Sequence, residues 1–526
     1  VTEQSFFARP AVLAIAVLLL GRDIAAPFNA WHQLNDSVHA QFARNHIQYG
    51  LGYTALYGTW GDSLAPPSPP ERYLNHPPLV ALWTAVPLLL FGDHEWSARL
   101  MPIAATLGST ALLMTIVSRL GSPLLGVLAG FFYSTLPLTA YFGRMVCHEA
   151  PTQFFSLLMV HGYLEWTSAY DGPCRPQRGA LVYAIGAALG VGTGWPSLLA
   201  AGLLWAWHGG RVLRRAGEAR LLLWLAAIPA LALAAVVLHI AAGCGWELDL
   251  FGKLLETRSL GGGGGQQPWS AWLAMQWVYF ARNFTWPGAL TAVLSVPLLV
   301  GAQVRAWRGG AVPPSLLTGN LAGVAALCGL QGLLWIVGFK NGSWFHDYWQ
   351  FYLAPYVALT MAGSVVAVRA TLTALAPRLA RTAVLLLMAA PMPFSAAALD
   401  FYAAHRLVDP EYIEALVKLG ERVPRRAPAW TSHRLQESAE SFGRYTYRWP
   451  DPTIAYYANR PLYSSRDVGE VQANAPHCVA YLLKRSEQPW ARAIELALSQ
   501  SFEAVPVGDQ HVIFLLDRPL LPRSPP

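Results

Sequence analysis

The feature that most constrains this sequence is a series of apolar runs separated by short turns in which arginine recurs. The runs fall at about 10–27, 97–118, 121–142, 151–169, 179–208, 219–241, 287–304, 315–339, 349–368 and 382–400. A helix rises about 1.5 Å per residue and the hydrocarbon core is about 30 Å thick, so roughly 20 apolar residues make a span. Only 13% of the chain is charged and 54% is hydrophobic, against about 25% charged in soluble proteins. That composition excludes disorder over most of the length. The 21 Trp and 21 Tyr suit helix ends at a water–lipid interface. The net charge of +7 sits in turns between apolar runs, the pattern of cytoplasmic loops, and so no nucleic-acid partner is expected. Cys147, Cys174, Cys244, Cys328 and Cys478 form no CxxC pair or metal-like spacing. Ala11 to Leu20 is followed by no small-residue cleavage site and reads as a first anchor.

Parity decides the topology. The run 179–208 is too long for one span and is interrupted by "GVGTGWP" from Gly190 to Pro196, so two short helices are expected there. Crossing it twice puts Arg175, Arg178, Arg211, Arg214, Arg215, Arg220, Arg305, Arg308, Arg369, Arg378 and Arg381 on one side, which the positive-inside rule makes cytoplasmic. Arg119 joins them only if Pro77–Phe91, about 15 residues and short of a span, does not cross. That segment is therefore expected to lie in the interface or to re-enter.

The resulting expectation is a polytopic α-helical membrane protein with about 11 transmembrane helices and juxtamembrane helices on the outer face. The N-terminus is cytoplasmic, and the outer segments are 28–95, 143–150, 192–196, 242–286, 340–348 and 401–526. The last is more polar: a helix over 410–421, a strand from Cys478, a helix from Pro489 to Ser499 and a strand from His511 predict a small α/β domain. The domain division is accordingly 1–400, a transmembrane catalytic domain whose first outer loop is 28–95, and 401–526.

Three outer segments carry acids beside bases. "NDSVHAQFARNHIQYG" holds Asp36, His39, Arg44 and His46, with Val38, Phe42 and Tyr49 at helical spacing. "YFGRMVCHEAP" holds Arg144, His148 and Glu149, and "FKNGSWFHDYWQFYLAP" holds Lys340, His346, Asp347 and Tyr348. An interfacial amphipathic helix, with Asp36 as its N-cap, accounts for the first alone. Ionisable residues at membrane edges are functional candidates by default, and three such turns exceed what solvation demands.

The order of Asp36 in a long first loop, "YLNHPPL" from Tyr73, "FGDHEWSARL", Glu149, and "HDYW" before a late span resembles the polyprenyl-phosphate-dependent GT-C glycosyltransferases. The similar branch is the protein mannosyltransferase and aminoarabinose transferase superfamily, glycosyltransferase family 39. The resemblance covers 28–170 and, less fully, 340–360.

It implies a GT-C-like fold and inverting transfer of a sugar from a polyprenyl-phosphate donor to an acceptor glycan, lipid or protein. Asp36 matches the general base, and Glu149 the second catalytic acid, which is usually Asp. His76 stands where some members have Lys, so the donor phosphate would be bound by His76, Arg44, Arg144 and Lys340. Tyr73, His148, His346, Asp347, Tyr348 and Trp269 would position substrate. "GGGGGQQPWSAW" would be a flap, with Trp269 and Trp272 stacking on sugar. No essential cofactor is implied. A divalent cation on Asp36, Glu149 and His346 is the alternative, since their donor types suit one although no tight ligand spacing is present.

An Arg-, Ala- and Trp-rich chain suggests a bacterial inner membrane with a periplasmic outer domain, and undecaprenyl phosphate as the lipid. Rival readings are a lipid or sugar transporter or flippase, and a non-catalytic membrane scaffold. Against transport, the acids gather at one surface rather than at mid-membrane.

Overall fold

The computed structural model describes residues 3–60, 71–170, 173–214, 217–246, 252, 258–259, 267–307, 319–406, 408–424, 427–432, 438–442, 445–449, 452–460, 462–474 and 478–519. The glycine run Gly261–Gly265 of the expected flap lies outside them. The chain forms two compact units. One comprises Val1–Ala25 with Leu74–Tyr402, the other Ala26–Tyr73 with Ala403–Pro526. The part of the expected first outer loop up to Tyr73 therefore belongs to the same unit as the C-terminal segment.

The first unit is helical. Among the described residues, five helices are long and apolar enough to cross a membrane: Glu95–Leu120, Ala219–Gly243, Gly319–Gly338, Asp347–Leu375 and Arg378–Ala404. The break expected in 179–208 is present, with helices Pro176–Thr193 and Pro196–Leu213 joined through Gly194 and Trp195. A second break divides Trp269–Trp307 at Thr285, whose φ of 63° leaves the helical region. That is costly for a β-branched residue; here it sits before Pro287, and the Thr285 hydroxyl accepts from Gly288 N at 3.4 Å to cap the following helix.

Helix Glu149–Trp166 packs backbone to backbone on Pro176–Thr193. A Cβ on Gly162 would fall 2.3 Å from Tyr183 N, and one on Gly179 would fall 2.3 Å from Trp166 N. Small residues permit this approach, which maximises dispersion contact where lipid offers no hydrophobic drive.

Packing within this unit also settles the path of helix Leu79–Phe91, which is 13 residues long and about 20 Å in extent. Arg119 pairs with Glu165, and Glu165 accepts from Arg175 N at 3.0 Å. One end of helices 95–120, 149–166 and 176–193 is thereby shared. At the other end Trp195 Nε1 donates to Asn75 O at 3.0 Å, so the chain enters the short helix there. The next helix begins at Glu95, opposite Arg119 and again at that end. Leu79–Phe91 thus starts and finishes on one side. Its Val80, Ala81, Thr84 and Leu88 are buried, while Leu89 and Leu90 are exposed.

In the second unit, a five-stranded sheet runs Leu462–Ser464, Ala429–Thr431, Ala480–Lys484, His511–Pro519, Phe502–Val507. The first three strands are mutually parallel and the last two pairings antiparallel. Alternation sends Tyr481, Leu483, Val512 and Phe514 into one core with Ile494 and Leu498 of helix Pro489–Ser499. Helix Pro410–Arg422 buries Tyr412, Ile413, Leu416 and Leu419, and stacks Tyr412 on His511 with ring centroids 5.6 Å apart. Helix Leu34–Tyr49 is tied to helix Pro452–Ala458 by Arg44, whose Nη1 donates to Tyr456 O at 2.7 Å.

Candidate active site

Two prolines place His76. Pro77 and Pro78 each restrict the residue before them, Pro78 serves as the N-cap of helix Leu79–Phe91, and the Trp195 bond to Asn75 fixes this segment at the Gly194 break. The His76 ring lies against His148, centroids 4.1 Å apart and planes inclined by 31°. His148 precedes helix Glu149–Trp166, and its Nε2 is 3.1 Å from Glu149 Oε1. Cys147 Sγ is 3.4 Å from His148 Nδ1. Both imidazoles cannot comfortably be charged at this separation, because like charges in a dry site repel strongly.

Glu149 is 1% exposed and precedes the apolar run 151–169. Burial, opposed by the Cys147 thiol, pushes its carboxyl up to about 7, since desolvation disfavours the charged form. An acid that titrates near neutrality beside an imidazole is suited to moving or holding a proton.

His76 and Asn75 also border a cavity of about 410 Å3, walled by Leu198, Leu199, Leu233, Val237 and the indoles of Trp195, Trp335 and Trp349. The lining is overwhelmingly apolar, yet Arg258 reaches it, and Trp335 Nε1 is a buried donor with no protein partner among the described residues. Apolar walls with three convergent donors suit a hydrocarbon ligand that ends in oxygens. Neither Arg258 nor Trp335 was among the residues expected from sequence; Arg258 lies between apolar runs, with no periodic pattern to single it out.

The other expected residues are distributed as follows. Asp36, Arg44 and Tyr73 belong to the second unit. There Asp36 is fully buried in helix Leu34–Tyr49, Tyr73 packs on Phe42 at 5.1 Å, and the Arg44 guanidinium stacks 4.0 Å over Tyr456. Burial lowers the neighbouring His39 and His46 to about 4, leaving both neutral at physiological pH.

In the first unit, Arg144 lies 5.6 Å over Tyr141. Lys340 donates to the Gln267 carbonyl and sits 4.9 Å over the Trp269 ring. His346 bonds the Tyr348 hydroxyl at 3.0 Å. Asp347 accepts from Arg282 at 2.5 Å. Trp272 is buried and donates Nε1 to Ser343 Oγ at 3.0 Å, so its indole does not face a sugar; Trp269 is half exposed. Of the residues expected for a cation, Glu149 and His346 belong to the first unit and Asp36 to the second.

A profile of the family described as dolichyl-phosphate-mannose-protein mannosyltransferase matches residues 75–240. The chain superposes on ArnT from Cupriavidus metallidurans, solved with undecaprenyl phosphate bound, with a TM-score of 0.61 at 12% identity, covering 96% of this chain and 97% of that one. It also superposes on the oligosaccharyltransferase AglB from Archaeoglobus fulgidus, solved with an inhibitory peptide and a dolichol-phosphate. There the TM-score is 0.57 at 11% identity, covering 96% of this chain and 74% of that one. At such identities the likeness is one of fold. No curated protein matches the chain in sequence. The family model thus covers residues 75–240 of the chain, and the structural likeness adds a shared fold over nearly its whole length.

Proposed function

We propose that this protein is an integral-membrane inverting glycosyltransferase that moves a sugar from a polyprenyl-phosphate-linked donor to an acceptor on the outer face. The observation that carries this reading is the apolar cavity bordered by His76, Arg258 and the Trp335 indole N–H, adjoining the His148–Glu149 pair. A polyprenyl chain needs apolar walls and its phosphate needs donors at their edge. The lipids bound to the two structural relatives, undecaprenyl phosphate and dolichol-phosphate, have that chemistry.

In the proposed reaction an acceptor hydroxyl oxygen attacks the anomeric carbon from the face opposite the phosphate. The bond from that carbon to the phosphate oxygen breaks, the configuration inverts, and the hydroxyl proton passes to a carboxylate. Asp36 keeps the role of general base that the resemblance of its loop implies. Charge developing on the leaving phosphate is met by Arg258 and His76. Glu149, the second acid that the resemblance implies, lies beside His148 and can hold or pass a proton there. No essential metal enters this scheme, and transfer should survive EDTA.

We further propose a cytoplasmic N-terminus, about 11 crossings and an extracytoplasmic 401–526. The gathering of Arg119 and Arg175 at the end opposite Asn75 supports this orientation. A protease site placed after residue 401 should be cut only from outside; cleavage from the cytoplasm would reverse it.

The decisive experiment is mass spectrometry of lipid co-purified with Asp36→Asn, which should hold donor without consuming it. A polyprenyl phosphate bearing a sugar is the expected result, diminished when Arg258→Ala is added. Recovery of ordinary phospholipids only, under conditions that retain bound lipid, would overturn the reading.

A further inference from the structure

The opposite end of the same helices carries a second cavity, of about 780 Å3, that the transfer reaction does not use. It is bounded by Trp166, Thr167 and Ser168 after helix Glu149–Trp166, by His208 and Arg211 of helix Pro196–Leu213, and by Gly217 to Trp224 at the start of Ala219–Gly243. Helix 149–166 has 18 residues, so this cavity lies about 27 Å from Glu149 along the helix axis.

Its chemistry differs from that of the first cavity. Arg211 reaches in, its Nη1 3.5 Å from Thr167 Oγ1. Arg220 stands at the mouth with an 85% exposed side chain, 3.5 Å from the equally open Glu218 carboxylate. An exposed pair of that kind is weak and readily exchanges partners. His208 contributes no charge-seeking group: its Nε2 faces the Glu218 carbonyl at 3.0 Å and must donate there, while Nδ1 is 3.2 Å from the Tyr163 hydroxyl. Both ring nitrogens are thus used in shaping the wall. Helix dipoles do not decide the charge either, since two helices begin and two end at the cavity. The arginines do, and they outnumber the carboxylate.

The mouth is also apolar on one side. Trp224 is 58% exposed and Leu223 72%, at the end of a helix apolar enough to span. A tryptophan there marks headgroup depth. An anion bound between Arg211 and Arg220 would have aromatic and aliphatic surface beside it rather than open water.

We propose that this cavity binds the phosphate of an anionic phospholipid headgroup, drawn from the leaflet opposite the Glu149 site, with Arg211 and Arg220 as its cationic ligands and the acyl chains lying along Trp224. Basic pockets between helices at a membrane surface are suited to such headgroups.

The test uses full-length protein in nanodiscs of phosphatidylcholine doped with phosphatidylglycerol. Native mass spectrometry should find phosphatidylglycerol retained in preference to phosphatidylcholine. Arg211→Gln combined with Arg220→Gln should cut that preference roughly tenfold or more. Because Arg211 also touches Thr167, Arg220→Gln alone serves as the variant that cannot disturb packing; it should lower the preference by several-fold. Equal retention of the two lipids by the wild type, or a preference untouched by either variant, would overturn the proposal. A parallel titration with inorganic phosphate separates the sources. Failure to displace phosphatidylglycerol supports the lipid, whereas full displacement, lost in the same variants, would leave a phosphate site and remove the lipid assignment.

Discussion

Two buried acid–base pairs in the first unit look alike in sequence and behave differently in space. Asp347 is closed in. Its carboxylate takes Arg282, its carbonyl takes Asn283 Nδ2 at 2.9 Å, and Asn283 in turn bonds Gln350 Oε1 at 3.1 Å and Tyr402 OH at 2.5 Å. Arg282 is capped by the rings of Phe401 and Tyr402, 4.8 Å and 5.3 Å from its guanidinium carbon. Glu149 has an imidazole and a thiol beside it, and the next imidazole out borders a cavity. Asp347 is held by a guanidinium that aromatic rings cover, whereas Glu149 adjoins an imidazole next to a cavity, where a proton can be exchanged. The surroundings of the two acids differ although "HDYW" and "CHEAP" are equally suggestive as strings, and the proposed reaction draws on the Glu149 side alone.

The largest expected effect tests the closed pair. Arg282→Met strands Asp347 as an unpaired buried acid, which costs about 3–5 kcal/mol and should appear as lost yield and a sharply lower melting temperature in detergent. Glu149→Gln should do the reverse. Its melting temperature at neutral pH should stay close to wild type, while turnover falls by roughly 10²–10⁴. A well-folded, inactive Arg282→Met together with an active Glu149→Gln would break the comparison outright.

A narrower test reads the titration of Glu149. Its folded pKa of about 7 lies above the ordinary 4.5, so between those values the folded state holds a proton that the unfolded chain has released. Stability therefore falls as pH rises from 4.5 to about 7. Glu149→Gln cannot titrate, and thermal melts across that window should show wild type losing ground to the variant. A parallel pair of curves would mean that Glu149 is not desolvated and that the open site is wetter than its burial indicates.

What was legible in the sequence follows the range of the signal. The Gly190–Pro196 break, the short helix after Pro77–Pro78 and the acid at Glu149 are local, written in glycine, proline and hydropathy within a few residues. The pairing of Asp347 with Arg282 was not legible, because Arg282 lies 65 residues away and nothing in either segment specifies the other. Arg258 was missed for the opposite reason: a loop arginine has no period, and only the cavity makes it conspicuous. The placement of Leu79–Phe91 with both ends on one side of its neighbours agrees with the parity of the arginines, a signal that integrates over the whole chain. The grouping of 26–73 with 403–526 rests on pairings such as Phe28 N to Tyr457 OH at 2.7 Å, which no local pattern announces.

The smallest effect separates two cations that sequence alone would treat as equals. Lys340 looked like a phosphate ligand, yet its ammonium is bound to the Gln267 carbonyl and lies over Trp269, while Arg258 lines the apolar cavity. Arg258→Ala should raise the KM for a polyprenyl-phosphate donor by about tenfold or more, the cost of one charge-assisted hydrogen bond of about 1.5–3 kcal/mol. Lys340→Ala should leave that KM within about twofold and cost about 1 kcal/mol of stability, the size of an exposed-to-partly-buried cation–π contact. Steady-state kinetics with donor varied, alongside melting curves for both variants, distinguishes them. If Lys340→Ala raised donor KM as much as Arg258→Ala did, its ammonium would have to leave Gln267 when donor binds, and the distinction between a cation engaged by protein and one lining the cavity would fail at this position.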